Sequence, residues 1–170
     1  MPATPDELFA LLASQGISVS TIDHPPLLTV EDAKTHRGTI EGAHTKNLFL
    51  KDRKGRLFLV VLEEDACVDL KTIHQILGAS GKVSFGSAEL LLEVLGVQPG
   101  AVSPFGVIND IEKRVTVVFD QALLASPKLN HHPLVNIKTT TITRDALLEF
   151  LNGTGHPPRI LSISAPVGSA

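Results

Sequence analysis

The chain has no tryptophan, no tyrosine, one methionine and one cysteine, Cys67. A single cysteine excludes an internal disulfide and cannot by itself make a thiolate metal site, which fits a reducing compartment. With seven phenylalanines as the only large aromatics, the chain is poorly equipped for the stacking platforms that hold single-stranded nucleic acid. No apolar run approaches the roughly 20 residues of a membrane-spanning helix. The start, Met1-Pro2-Ala3-Thr4-Pro5-Asp6-Glu7, has no basic flank leading into an apolar stretch. A soluble, cytoplasmic protein without a membrane partner is therefore expected. The glycine fingerprints of ATP and dinucleotide sites are missing, as are HExxH and GxSxG. No cofactor and no metal centre are expected.

What the chain does have is 170 residues, 43% of them hydrophobic, enough to fill the core of one domain. Its formal net charge of −3 disfavours general binding to DNA or any phosphate backbone. The charge is unevenly placed. Between Lys34 and Arg56, seven basic residues face two acidic ones, a local +5 that leaves −8 for the rest. Such a basic face suits a partner offering a few phosphates, and equally suits a solvated hairpin.

Helix signals open and close the chain. Thr4-Pro5-Asp6-Glu7 is a cap, a first-turn proline and a capping-box glutamate before Leu8, Leu11 and Leu12, with a stop at Gly16. Ile17 to Ile22 alternates like a half-buried strand and ends at His24-Pro25-Pro26. Thr29 can cap a short helix to about Arg37. Leu48–Leu50 and Leu57–Leu62 read as a β-hairpin around Gly55. Asp69 to Leu77 and Ser87 to Leu95 read as helices closed by Gly78 and Gly96. Phe105 to Ile108 and Val115 to Phe119 read as strands joined through Asn109-Asp110. Leu134 to Ile142 is β-branched, and Thr143-Arg144-Asp145 starts a last helix ending at Gly153. These elements predict a single α/β domain, a mixed, mostly antiparallel sheet surrounded by helices, over residues 1–165. The small, polar tail from Ser162 is expected to fray, with 166–170 outside the domain.

Four segments flanking loops can carry chemistry. They contain His24-Pro25-Pro26, Thr45-Lys46-Asn47, the run from Gly96 to Gly106 (GVQPGAVSPFG), and Asn130 to Asn136 (NHHPLVN). Lys46, just before an apolar strand, could hold a phosphate or a carbonyl oxygen, or simply snorkel at the strand end. Asn47 could orient a ribose hydroxyl or cap a turn. The glycine- and proline-rich run could present backbone N–H groups to an oxyanion, or serve only as a stiff connection. His131 and His132 are adjacent, so on extended chain they point to opposite faces and only one can serve a given site. Ser103 and Cys67 lack the surroundings of an activated nucleophile, and Glu63-Glu64-Asp65 reads as a solvated turn.

Taken in order, the segments Asp23-His24-Pro25-Pro26 with Thr29-Val30-Glu31, Lys46-Asn47-Leu48-Phe49-Leu50, Gly96 to Gly106, His132-Pro133-Leu134 with Asn136 and Thr139-Thr140, and Thr154-Gly155-His156-Pro157-Pro158 resemble one family. It is the YbaK/ProX superfamily of freestanding editing domains, related to the insertion domain of bacterial prolyl-tRNA synthetase. The resemblance spans almost the whole chain and is closest to the ProX branch. It departs at His131, where an aromatic or apolar residue is expected.

The resemblance implies hydrolysis of a mischarged proline transfer RNA, most readily the alanyl ester, with neither metal nor covalent nucleophile. It implies that Lys46 holds the terminal nucleotide, that Asn47 and His132 fix ribose and water, and that the backbone at Gly100, Ser103, Pro104, Phe105 and Gly106 binds the substrate and its oxyanion. The implied partner is the acceptor end of that transfer RNA, with prolyl-tRNA synthetase a second candidate. The alternative is a non-catalytic module that binds either one. On the enzyme reading, Lys46, Gly100 to Gly106 and His132 should converge on one small cavity.

Overall fold

The structure, a computed structural model, describes residues 1–26 and 40–164. The short helix expected from Thr29 and the tail 165–170 lie outside the described residues.

The capping signals are realised. Helix α1 (Pro5–Ser14) starts at Thr4, whose hydroxyl accepts from Glu7 N at 3.2 Å. Strand β1 (Ser20–Asp23) follows, shorter than the alternation suggested. The hairpin is also longer than its apolar core: β2 (Ala43–Lys51) and β3 (Leu57–Glu63) pair antiparallel from Thr45↔Glu63 to Lys51↔Leu57. Of the helix expected from Asp69, only α2 (Ile73–Leu77) forms, closed by a left-handed Gly78. Strand β4 (Ser84–Phe85) adds to β2, and α3 (Ala88–Leu95) runs from a Ser87 cap to a left-handed Gly96.

The strand expected at Phe105–Ile108 is instead part of a 3-10 helix, Pro104–Asn109. Proline at the first helical position and the Ser103 hydroxyl accepting from Phe105 N favour that turn over an extended chain. Strand β5 (Val115–Asp120), a 3-10 turn (Gln121–Ala125), β6 (Lys128–His131), β7 (Lys138–Thr143), α4 (Arg144–Gly153) and β8 (Arg159–Leu161) complete the chain.

The eight strands form one mixed sheet in the order β1-β7-β6-β2-β3-β5-β8, with β4 also on β2. Four pairings are antiparallel (β1/β7, β6/β7, β2/β3, β2/β4) and three parallel (β2/β6, β3/β5, β5/β8). Central β3 is buried on both sides, and its alternation defines two layers. Leu57, Leu59 and Val61 join the larger core with α1, α3 and α4, whereas Phe58, Val60 and Leu62 face the smaller one around α2. Strand β2 follows the same parity, with Phe49 in the larger core and Leu50 in the smaller.

Two polar anchors hold the periphery. Asp110, 3% exposed, accepts from Arg114 N, Val115 N and His156 Nε2, tying the end of α4 to the start of β5. Asp120 Oδ1 accepts from Ile163 N and Ser164 N, and Ile163 is only 6% exposed. The chain is therefore held through Ser164, beyond the Ser162 at which fraying was expected. Among the described residues no helix is long and apolar enough to cross a membrane.

Candidate active site

The parallel pairing of β2 with β6 covers only Ala43↔Leu129 and His44↔Asn130, and β6 ends one residue later. Beyond that point side chains take over from the ladder. The Thr45 hydroxyl donates to Asn130 O and meets His131 Nδ1, both at 2.8 Å. The two strands can approach this closely because residue 42 is glycine. A Cβ there would stand 2.8 Å from Lys128 O, and the backbone has φ +95°.

A cavity of about 70 Å3 opens where the strands part. Thr45 and Asn47 of β2, Asn130 and His131 of β6, and His132 form much of its wall, joined by His24, His44, Glu64 and Thr139. It lies at the C-terminal end of β6, the usual position for a site in a sheet with parallel strands. Asn130 is fixed in place, its amide donating to Glu41 O at 2.8 Å and accepting from Thr141 Oγ1 at 2.5 Å.

Both adjacent histidines line this cavity, against the expectation that only one could. The strand ends at His131, and a tight bend follows in which Leu134 N donates back to His132 O, so alternation no longer separates the two rings. Leu134 takes a left-handed φ of 71°, a conformation that costs a leucine roughly 1–2 kcal/mol. Its side chain is buried in the larger core, which offsets that strain.

The imidazoles have defined protonation. His132 Nδ1 donates to Lys138 O at 2.8 Å, leaving Nε2 as an acceptor. His24 Nδ1 donates to Pro25 O, and its Nε2 lies 2.8 Å from Thr139 Oγ1. Burial drives the His131 pKa down to about 3, aided by the neighbouring His132. Burial also lowers the pKa of His132, against the Lys138 carbonyl that raises it and with the His24 charge that lowers it further. Both rings are neutral at pH 7. His131 Nε2 and Asn47 Oδ1 are buried with no hydrogen-bond partner among the described residues.

The other expected residues lie outside this wall. Lys46 shares β2 with Asn47 but points to the opposite face, toward the smaller core, and its ammonium donates to Ala66 O at 2.6 Å. That carbonyl belongs to the turn carrying Glu64, so Lys46 stands beside the cavity rather than in it. Ser103 is fully buried and donates its proton to His132 O at 2.7 Å. Pro104, Phe105 and Gly106 are buried under the site, and the Phe105 ring meets His131 edge-on at 6.0 Å between centroids. Gly106 N is already bonded to Ser103 O. Gly100 is exposed with φ +93°, near Asn136. The stretch thus supports the two histidines from below. Asn47 and His132 meet at the cavity, while Lys46 and Gly100 to Gly106 do not share its wall.

Glu64 was read as part of a solvated turn, but it is 9% exposed and faces the cavity. Glu64 N bonds to His44 O, which folds the turn inward. Among the described residues, Glu63, Glu64 and Asp65 are the group able to bring three carboxylate oxygens within 4.8 Å of one another. Glu63 Oε2 already accepts from Asp65 N.

Comparison with known proteins places this arrangement. Residues 24–150 match the profile of the aminoacyl-tRNA editing domain. A zebrafish (Danio rerio) protein, prolyl-tRNA synthetase associated domain-containing protein 1, is 39% identical over 92% of this chain and 85% of its own. The prolyl-tRNA editing protein ProX of Acetoanaerobium sticklandii is 37% identical over 88% of this chain and 91% of its own. A crystal structure described as a candidate trans-editing enzyme for prolyl tRNA synthetase superposes with a TM-score of 0.68 at 19% identity, covering 95% of this chain and 98% of that one. At that identity the likeness speaks for the fold.

Proposed function

The chain belongs to the aminoacyl-tRNA editing domain family, and from that premise we propose that it hydrolyses the ester of a mischarged proline transfer RNA, alanyl before other small amino acids. The observation that carries the reading is the cavity itself. At about 70 Å3 it has room for a few non-hydrogen atoms, and its wall is built mostly of polar side chains, Glu64 among them, at the end of β6. We infer that the pocket works as a size sieve, because a site can exclude a proline ring by clash more sharply than it can prefer one methylene over another.

An aminoacyl ester is already activated, so position and charge are what the protein must add. Asn47 orients the ribose. His132, with Nε2 free to accept, holds the attacking water or the substrate hydroxyl that directs it. Ser103, Pro104, Phe105 and Gly106 act beneath, holding His132 and His131 in register, while the exposed backbone at Gly100 meets the substrate outside. Lys46 exchanges the Ala66 carbonyl for the phosphate or ester oxygen of the terminal nucleotide. The acceptor end of the transfer RNA is the partner, and only a small basic face need touch it, which makes binding salt-sensitive.

The test is a deacylation panel on proline transfer RNA charged separately with alanine, cysteine, serine and proline. Alanyl ester should turn over fastest and prolyl ester not at all. Retained binding without turnover of any ester would leave a non-catalytic acceptor-end or synthetase-binding module.

A further inference from the structure

We propose that His131 Nε2 and Asn47 Oδ1 form an acceptor pair that receives the α-ammonium group of the aminoacyl ester; the inference rests on the deacylase reading of this cavity. The hydrogen bonds assign the tautomer. The Thr45 hydroxyl has one proton, and Asn130 O, at 2.8 Å, can only accept it. Toward His131 Nδ1, also at 2.8 Å, Thr45 must therefore accept, so Nδ1 carries the ring proton and Nε2 carries the lone pair. That lone pair is buried and without a partner among the described residues, as is Asn47 Oδ1, and both residues line the cavity.

Two bare acceptors in a cavity that Glu64 also lines describe a site for a donor with positive charge. A phosphate or carboxylate would meet only lone pairs there. An ammonium has three protons and needs acceptors on several sides. Burial keeps His131 from taking the proton itself, its pKa being pushed down to about 3, so the imidazole remains an acceptor over the working pH range. The ammonium lies one carbon from the scissile carbonyl, so anchoring it places that carbonyl within the wall formed by Asn47 and His132. The same pair rejects esters lacking the charge. An α-hydroxyacyl ester offers one proton, and an N-acylated or peptidyl ester offers one proton on an uncharged amide.

Single-turnover deacylation of proline transfer RNA carrying L-alanyl, L-lactyl or N-acetyl-L-alanyl groups tests this, each rate divided by that ester's own spontaneous rate because an α-ammonium activates an ester even in water. The wild-type protein should favour the alanyl ester by about tenfold to a hundredfold in kcat/KM, the size of a charged hydrogen-bond contribution. His131→Leu should bring the alanyl-over-lactyl ratio close to one, and His131→Gln, which keeps an acceptor, should restore part of the preference. Thermal unfolding establishes that each variant folds, and the three-ester comparison on the wild type decides the matter without them. Equal rates for alanyl and lactyl esters, or an intact preference in folded His131→Leu, would overturn the ammonium site while leaving the deacylase reading in place. No turnover of any ester would overturn that reading itself.

Discussion

Replacing Ser103 with alanine removes a hydroxyl that the protein uses twice, donating to His132 O at 2.7 Å and accepting from Phe105 N at 3.3 Å. The residue is fully buried, so water cannot replace either bond. Each is worth about 0.5–1.5 kcal/mol net, giving a loss of roughly 1–3 kcal/mol. For a domain of this size each kcal/mol shifts Tm by about 2–4 °C, so Ser103→Ala should melt roughly 2–12 °C lower. The activity follows from geometry. The only proton on the hydroxyl is committed to the His132 carbonyl, so the substrate loses no donor, although His132 is held less firmly. Turnover of the alanyl ester should fall by less than about tenfold with KM unchanged, whereas removing a direct oxyanion donor costs about 10²–10³. Calorimetry and single-turnover deacylation measure the two quantities. A hundredfold loss of turnover with an unchanged Tm would place the hydroxyl on the substrate and refute this account.

Lys46→Ala should abolish hydrolysis of the alanyl ester while circular dichroism and Tm remain near wild type, since only one half-buried bond to Ala66 O is lost; undiminished turnover would remove Lys46 from the reaction. Asp110→Ala leaves the buried His156 and two backbone N–H groups without their acceptor, so urea unfolding should report a loss of at least about 1–3 kcal/mol, the cost of one unsatisfied buried donor, with little effect on substrate selectivity. Stability should also fall on mild acidification. Below pH 6.5 the unfolded chain protonates His131 while the folded chain, with its pKa near 3, does not, so stability is full above 6.5 and declines toward pH 3. By pH 5 this one group costs about 2 kcal/mol, and His132 acts in the same direction. Urea titrations at pH 7 and pH 5 give the difference, and His131→Leu should flatten it.

The local signals proved readable where their energetics are local. Thr4, Ser87 and Thr143 cap their helices with side-chain hydrogen bonds, and Gly78 and Gly96 close theirs in the left-handed region. Strands β6 and β8 have only four and three residues, and they exist because distant partners pair with them, something no short window of sequence contains. The apolar run Phe105–Ile108 looks like a buried strand, yet the preceding Ser103-Pro104 winds it into a 3-10 turn. The order of motifs singled out Asn47 and His132, and both line the cavity. The face taken by Lys46 depends on which core each side of β2 meets, and the inward turn of Glu64 depends on its backbone bond to His44. Both are set by tertiary contacts.

Gly42 gives the cleft a second, less visible control. With no side chain there, β2 settles against the Lys128 carbonyl, and the main-chain spacing between two strands determines how wide the gap beyond them can be. Any larger residue must wedge the strands apart and press on the Asn130 amide, 3.1 Å from where its Cβ would stand, reshaping the chamber from behind its wall. The width of the cleft can therefore change through a substitution at a residue that is not part of its lining.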